Sequence, residues 1–252
     1  MLKNRYFWLF MSPVSILLLW ETSTRSGLLD ARFFPAPSAI FYYLIFTSPG
    51  EGLWTDISAS LYRIFWGYLA GCASGIVLGV SMGLNHTVRM MIYPLVALLY
   101  PIPKIAILPL IMLIFGIGEM SKIVVVAIGS FFLVLINTLH GVDSVAKIYH
   151  DVARVYRIKK HNFVLRVILP GALPAIFTGL KLAIGYSLVI VVAAEFSGAD
   201  AGIGYLIWQS WETFSIKAMY AGIFVIGALG LAFSLILNFL ERCLTPWRDT
   251  DQ

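Results

Sequence analysis

About six stretches of this 252-residue chain stay apolar over most of some 20 residues, and that repetition limits the possible folds more than any motif does. A helix crossing roughly 30 Å of hydrocarbon needs about 20 mostly apolar residues. The stretches are 6–20, 64–84, 90–117, 123–139, 172–194 and 218–240. Composition agrees: 60% of residues are hydrophobic, 12% are charged and the mean hydropathy is +0.86, far outside the range of a soluble domain. The expected fold is an all-α polytopic membrane protein with about six transmembrane helices that bury their apolar surface in the lipid bilayer.

The net charge of +5 follows the loops between these stretches, so it reports membrane orientation and argues against a nucleic-acid partner. With the amino terminus inside, the inner segments hold Lys3, Arg5, Arg89, Lys147, Arg154, Arg157, Lys159, Lys160, Arg166, Arg242 and Arg248. The outer segments hold Arg25, Arg32, Lys122 and Lys217, and eleven against four places both termini in the cytoplasm. Arg63, Lys104 and Lys181 fall inside the stretches themselves. The first stretch contains Pro13 and follows Lys3 and Arg5 as a signal peptide would, but no small-residue cleavage site follows it, so it reads as a retained anchor. Cys72 and Cys243 are the two cysteines, too few for a disulfide framework or a cysteine-rich metal site.

Two of the stretches have internal patterns. Gly67, Gly71, Gly75, Gly79 and Gly83 recur every fourth residue and lay a glycine stripe along one helical face, which another helix can approach closely. Packing within one subunit and a dimer contact are both open uses of that stripe, the first being the commoner. The third stretch carries Pro94, Pro101, Pro103, Lys104 and Pro109. Non-helical backbone at membrane depth is tolerated only inside protein or beside a wet cavity, and a lysine there costs about 2.5–3.5 kcal/mol on insertion scales. Pro101, Pro103 and Lys104 are therefore candidate pathway residues for an anion, the alternative being that Lys104 snorkels from an interface. Glu195 is a fourth candidate for the pathway, although it and Glu119 lie near outer ends of spans, where a carboxylate is solvated or accepts from backbone amides. Lys181 is expected to snorkel to headgroups, and Tyr205, Trp208, Trp211 and Phe214 to form an interfacial belt or an outer gate.

Between the fourth and fifth stretches lies a basic, polar island running from Asp151 to Pro170, which reads as a docking surface and not as a catalytic site. Asp151 and Ala153 are placed to start a helix, where a carboxylate suits the macrodipole, and Leu169-Pro170 to end the excursion. The island resembles the cytoplasmic loop of the membrane subunits of binding-protein-dependent ABC importers. Asp151, Val152 and Ala153 stand at its acidic-small-small opening, and Val167, Leu169 and Pro170 at its aliphatic-x-Leu-Pro ending. Asp151 replaces the usual glutamate and Arg157 the usual glycine, a change that bears on the turn because glycine adopts positive φ cheaply and arginine does not. Further segments resemble the taurine, aliphatic sulfonate, nitrate and bicarbonate branch: Phe33-Phe34-Pro35-Ala36-Pro37-Ser38, Tyr100-Pro101-Ile102-Pro103, Leu108-Pro109-Leu110, Phe115-Gly116-Ile117-Gly118-Glu119, Ala193-Ala194-Glu195, Gly202-Ile203-Gly204-Tyr205 and Leu244-Thr245-Pro246-Trp247.

The resemblance implies a type I ABC importer-like permease in a bacterial inner membrane. It implies one transmembrane domain over 1–252, with a core of about 57–242 and a cytoplasmic coupling loop at 140–171. In that loop Asp151, Ala153, Arg157, Val167, Leu169 and Pro170 would meet the ATPase. The implied partners are a second permease copy forming a homodimer, two ATP-binding subunits and a periplasmic or extracellular substrate-binding protein. No cofactor is expected on this chain, ATP and Mg belonging to the partner ATPase. The solute would be a small anion, taurine first among the expectations, moved into the cytoplasm by alternating access. The residues agree with this division of labour: there is no phosphate loop ending in Gly-Lys, no His-Glu-x-x-His and no Gly-x-Ser-x-Gly, and His86, His140, His150 and His161 are dispersed. A secondary transporter or channel for small anions is the alternative, but paired broken helices in two related halves are missing. A polytopic membrane enzyme is a second rival, against which the lack of a catalytic constellation counts.

Overall fold

A computed structural model describes residues 2–247, in which every regular element is helical. Helix α1 spans Leu2–Arg25 and ends on the polar run Glu21-Thr22-Ser23-Thr24-Arg25. Helix α2, Pro37–Tyr42, has proline in its first turn and no capping side chain of its own. Glu21 supplies the missing acceptor, taking hydrogen bonds from the Ser38 amide at 3.0 Å and the Ser38 hydroxyl at 2.8 Å. Short π and 3-10 turns carry the chain to Gly52, whose φ of 95° stops them. Helix α3 then runs unbroken over Leu53–Leu84.

Asn85 caps α4, His86–Leu99, by accepting from the Thr87 amide at 3.0 Å. A 3-10 turn over Lys104–Ile107 leads into α5, Leu108–Phe115, and Gly116 at φ 83° closes it. Next come α6 over Glu119–Asp143, α7 over Lys147–Val155, α8 over Lys160–Phe163 and α9 over Leu169–Glu195. Helix α10 is Ile203–Glu212 and α11 is Ile216–Leu244.

Four of these helices are long and apolar enough to cross a membrane: α3, α6, α11, and α9 together with the helical turns from Lys160. The pair His86–Leu99 and Lys104–Phe115, bent by 91°, makes a fifth if it counts as one span. The first helix is not among them, so the six expected spans become at most five by length and apolarity among the described residues. Arg248, counted above with the inner basic residues, lies outside the described residues.

Two compact units are present, Met1–Ala59 with Asp200–Gly227, and Ser60–Ala199 with Ala228–Gln252. In the first, the Trp20 ring stacks on Phe224 at 6.3 Å, Phe41 meets the same ring at 5.1 Å, and buried Asp56 accepts from the Gly202 amide at 2.8 Å where α10 begins. In the second, α6 is the central helix. The glycine face of α3 lies against it: a methyl group on Gly71 would stand 2.3 Å from the Ala127 carbonyl oxygen, and one on Gly75 2.8 Å from that of Phe131. On its other side α6 packs on α9, where Ile190 and Val191 join Val125 and Val126 in a fully buried core. Ser130 and Ser187 hydrogen-bond across that contact at 2.8 Å.

Candidate functional site

On the cytoplasmic side, the island forms two short helices. Asp151 and Ala153 lie in the middle of α7 and not at its start, because the helix begins at Lys147 behind an uncapped Ala146. Ala153 is buried, whereas Asp151 and the apolar side chains of Ile148, Tyr149, Val152, Val155 and Tyr156 are exposed. Ile148, Val152 and Val155 share a face at helical spacing, so a nine-residue helix offers a narrow apolar ridge among basic neighbours. Helix α7 closes in a Schellman turn, with the Ile158 amide donating to Ala153 O at 2.9 Å and the Arg157 amide to Arg154 O at 3.2 Å.

Arg157 occupies the left-handed position of that turn, φ 49°, so the turn persists without glycine. Holding a side chain there costs about 1–2 kcal/mol. Arg157→Gly is therefore expected to raise the melting temperature of the purified protein, and the β-branched Arg157→Val to lower it; the opposite order in a circular-dichroism melt would contradict the turn. Leu169-Pro170 forms the first turn of α9, so it ends the excursion by beginning a span. Val167 and Pro170 border a cavity of about 540 Å³ with Tyr149, Arg166 and Trp247.

At the break between α4 and α5, Lys104 is 4% exposed, and its ammonium neither snorkels nor stands free. It donates to the carbonyls of Leu99 at 2.8 Å, Tyr100 at 3.1 Å and Ile102 at 2.9 Å, and lies 4.3 Å from the Phe132 ring centroid. The backbone groups left orphaned where α4 ends are thus satisfied by a cation that also suits the helix dipole. Pro101 and Pro103 border a cavity of about 410 Å³ beside it. Ile102 and Lys104 separate that cavity from a second, of about 500 Å³ with almost wholly apolar walls, which the prolines do not line. Lys104→Met is expected to lower stability as well as any anion flux, by about 1–3 kcal/mol for the carbonyls it leaves unpaired. An unshifted thermal melt in detergent would show that the ammonium does not hold the break.

Glu195 is not at this break. It lies 1% exposed at the end of α9, so the expected solvated carboxylate is replaced by a buried one. Arg63, itself 2% exposed, donates from Nη1 to Glu195 at 2.7 Å and grips Glu119 with Nε at 2.7 Å and Nη2 at 2.6 Å. The Ser60 hydroxyl donates to both Glu195 oxygens, at 2.7 and 2.9 Å. Buried Lys122 donates to Gly118 O at 3.1 Å and Gly198 O at 3.0 Å. Three helices are tied at their outer ends by this cluster, which sequence reasoning missed; an arginine inside a span was the available signal, since such a charge is buried with a partner. Lys181 likewise pairs with Glu241 of α11 instead of reaching for headgroups. At the opposite end of α6, Asp143 pairs with Arg89 of α4 at 2.9 Å.

Arg63, Lys104, Lys122, Lys181 and Glu195 are all spent on fastening helices or the break between them, and among the described residues no group of three or more metal-ligating side chains gathers. What the chain leaves open is cavities beside a broken span and an apolar ridge on its cytoplasmic loop, the arrangement of a membrane-embedded transport subunit. Residues 75–249 match the family described as the inner membrane component of binding-protein-dependent transport systems, and the chain belongs to that family. It is 35% identical over 250 residues to a taurine transport system permease protein of Escherichia coli, covering 97% of this chain and 91% of that one. It is 34% identical over 196 residues to a nitrate import permease protein of Leptolyngbya laminosa, covering 78% of this chain and 70% of the relative. Its fold matches a chain of the methionine ABC transporter MetNI, crystallised in inward-facing conformations, with a TM-score of 0.63 at 17% identity over 77% of this chain and 95% of that one. The protein is thus a multi-pass permease component of an ABC importer in the inner membrane.

Proposed function

We propose that this permease carries a small solute bearing an anionic sulfonate or comparable oxyanion group, of which taurine and nitrate are two represented among its relatives. In this reading two copies form the pathway, two ATP-hydrolysing subunits with their ATP and Mg dock on the cytoplasmic side, and a soluble binding protein delivers the solute outside. The observation that carries the coupling is the exposed ridge Ile148, Val152 and Val155 on α7. Apolar side chains on an aqueous face want a partner groove, and the surrounding Arg154, Arg157 and Lys159 give it a charged rim. Asp151, Ala153 and Arg157 act there, with Val167, Leu169 and Pro170 joining the loop to α9. Broken backbone at Pro101 and Pro103 with the Lys104 charge supports a pathway beside α6.

The test is reconstitution with the ATPase and binding protein into liposomes, followed by uptake of labelled taurine, ethanesulfonate and nitrate. ATP-dependent accumulation of at least one is expected. Accumulation of none, with the complex assembled and its ATPase active, overturns the substrate class.

A further inference from the structure

Two tyrosines border one cavity, the exposed Tyr100 and the half-buried Tyr186, and neither hydroxyl hydrogen-bonds the protein among the described residues. Tyr100 follows α4 and Tyr186 lies in α9; between them is the space of about 410 Å³ bounded by Pro103, Lys104, Gly129 and Leu133. At membrane depth a phenol hydroxyl without a partner loses hydrogen bonding that phenylalanine, filling almost the same volume, would never need.

The positions of both rings are set by α6. Gly129 gives Tyr186 its place, since a methyl group there would stand 3.3 Å from the ring. The neighbouring residues on the same two helices, Ser130 and Ser187, are joined by their 2.8 Å hydrogen bond, which holds Tyr186 in register with Gly129. Tyr100 meets the Phe132 ring at 6.4 Å. Lys104 borders the same cavity, but its ammonium is committed to three carbonyls, so it contributes potential and no directed bond to anything passing.

We propose that Tyr100 and Tyr186 are the hydrogen-bond donors of a transit site for the oxygens of a sulfonate or oxyanion, with Lys104 lending positive potential. This rests on the substrate class proposed above. Each phenol donates one hydrogen to an anionic oxygen. Neutral donors suit passage, because a transit site has to bind well enough to admit the anion and weakly enough to let it go. A free ammonium at the same place would hold it longer.

The experiment uses the full complex in liposomes with Tyr100→Phe, Tyr186→Phe and the double variant, supplied with saturating binding protein and taurine, ethanesulfonate or nitrate. For whichever anion the unaltered complex carries, each single variant is expected to lower maximal uptake about fivefold, the size of one lost neutral hydrogen bond, and the double variant further. Uptake per ATP hydrolysed falls with it, which a packing role would not produce. In a second measurement, Leu133→Cys in a Cys243→Ser background is labelled with a sulfonate-bearing thiosulfonate reagent. The carried anion should slow that labelling, and should no longer do so once both tyrosines are phenylalanine. Undiminished uptake by the double variant, or equal protection of the cysteine with and without the hydroxyls, overturns the site while leaving the substrate class intact. Failure of the unaltered complex to carry any of the three anions overturns the substrate class and this site together.

Discussion

Gly71→Leu is expected to yield no folded protein, and even Gly71→Ala should lose most of it. The added methyl alone would approach the Ala127 carbonyl oxygen to 2.3 Å and the Ser130 Cβ to 2.9 Å, and the first of these is backbone that cannot rotate away. Overpacking of this kind costs about 1–3 kcal/mol where side chains can yield and more where they cannot. Gly185→Ala in α9 is the control, since nothing lies within 4 Å of a methyl there. That variant should match or exceed the parent, because alanine favours a helix by about 0.5–1 kcal/mol over glycine. Size-exclusion recovery and thermal melts after detergent extraction read both. If Gly71→Leu behaves like Gly185→Ala, the packing of α3 on α6 is not as described.

The second large effect is at Arg63. Arg63→Met keeps much of the apolar stem but leaves Glu195 buried beside Ser60 with no guanidinium, and breaking a buried pair from one side costs about 3–5 kcal/mol. Adding Glu195→Gln should restore a substantial part, because a neutral amide can stay buried with the Ser60 hydroxyl as partner. Removing the exposed end instead, by Glu119→Gln, should cost far less, since its side chain is 52% exposed and water can replace the lost partner. Equal melting of Arg63→Met and the parent would mean the charges are not coupled.

The legible and illegible parts of this molecule divide along the range of the interactions. A four-residue glycine period is local, so the stripe from Gly67 to Gly83 was visible in the sequence, though not the identity of α6 as the surface it meets. Prolines at 94, 101, 103 and 109 likewise announced a broken span without giving its 91° bend. Lys104 was visible as a misplaced cation, but its acceptors are main-chain carbonyls, which every residue has and no residue type advertises. The outer cluster joins residues 56 and 132 positions apart, too far for any periodicity to connect. Helix α7 begins four residues before Asp151 because its start lies behind Ala146, which offers no capping side chain, so no residue type in the sequence marks Lys147 as the beginning.

The zipped contact of α3 with α6 has a mechanical consequence. Sliding one helix past the other by a residue or two would drive its side chains into the Ala127 and Phe131 carbonyls now faced by bare glycine, so axial slip is blocked. Helix α6 is also pinned near both ends, by Arg63 on Glu119 and by Arg89 on Asp143. Its 25 residues make a rod of about 38 Å. Displacement applied to the cytoplasmic end of that rod reaches the outer end as tilt and not as stretch, giving α3 and α6 the behaviour of a single stiff lever.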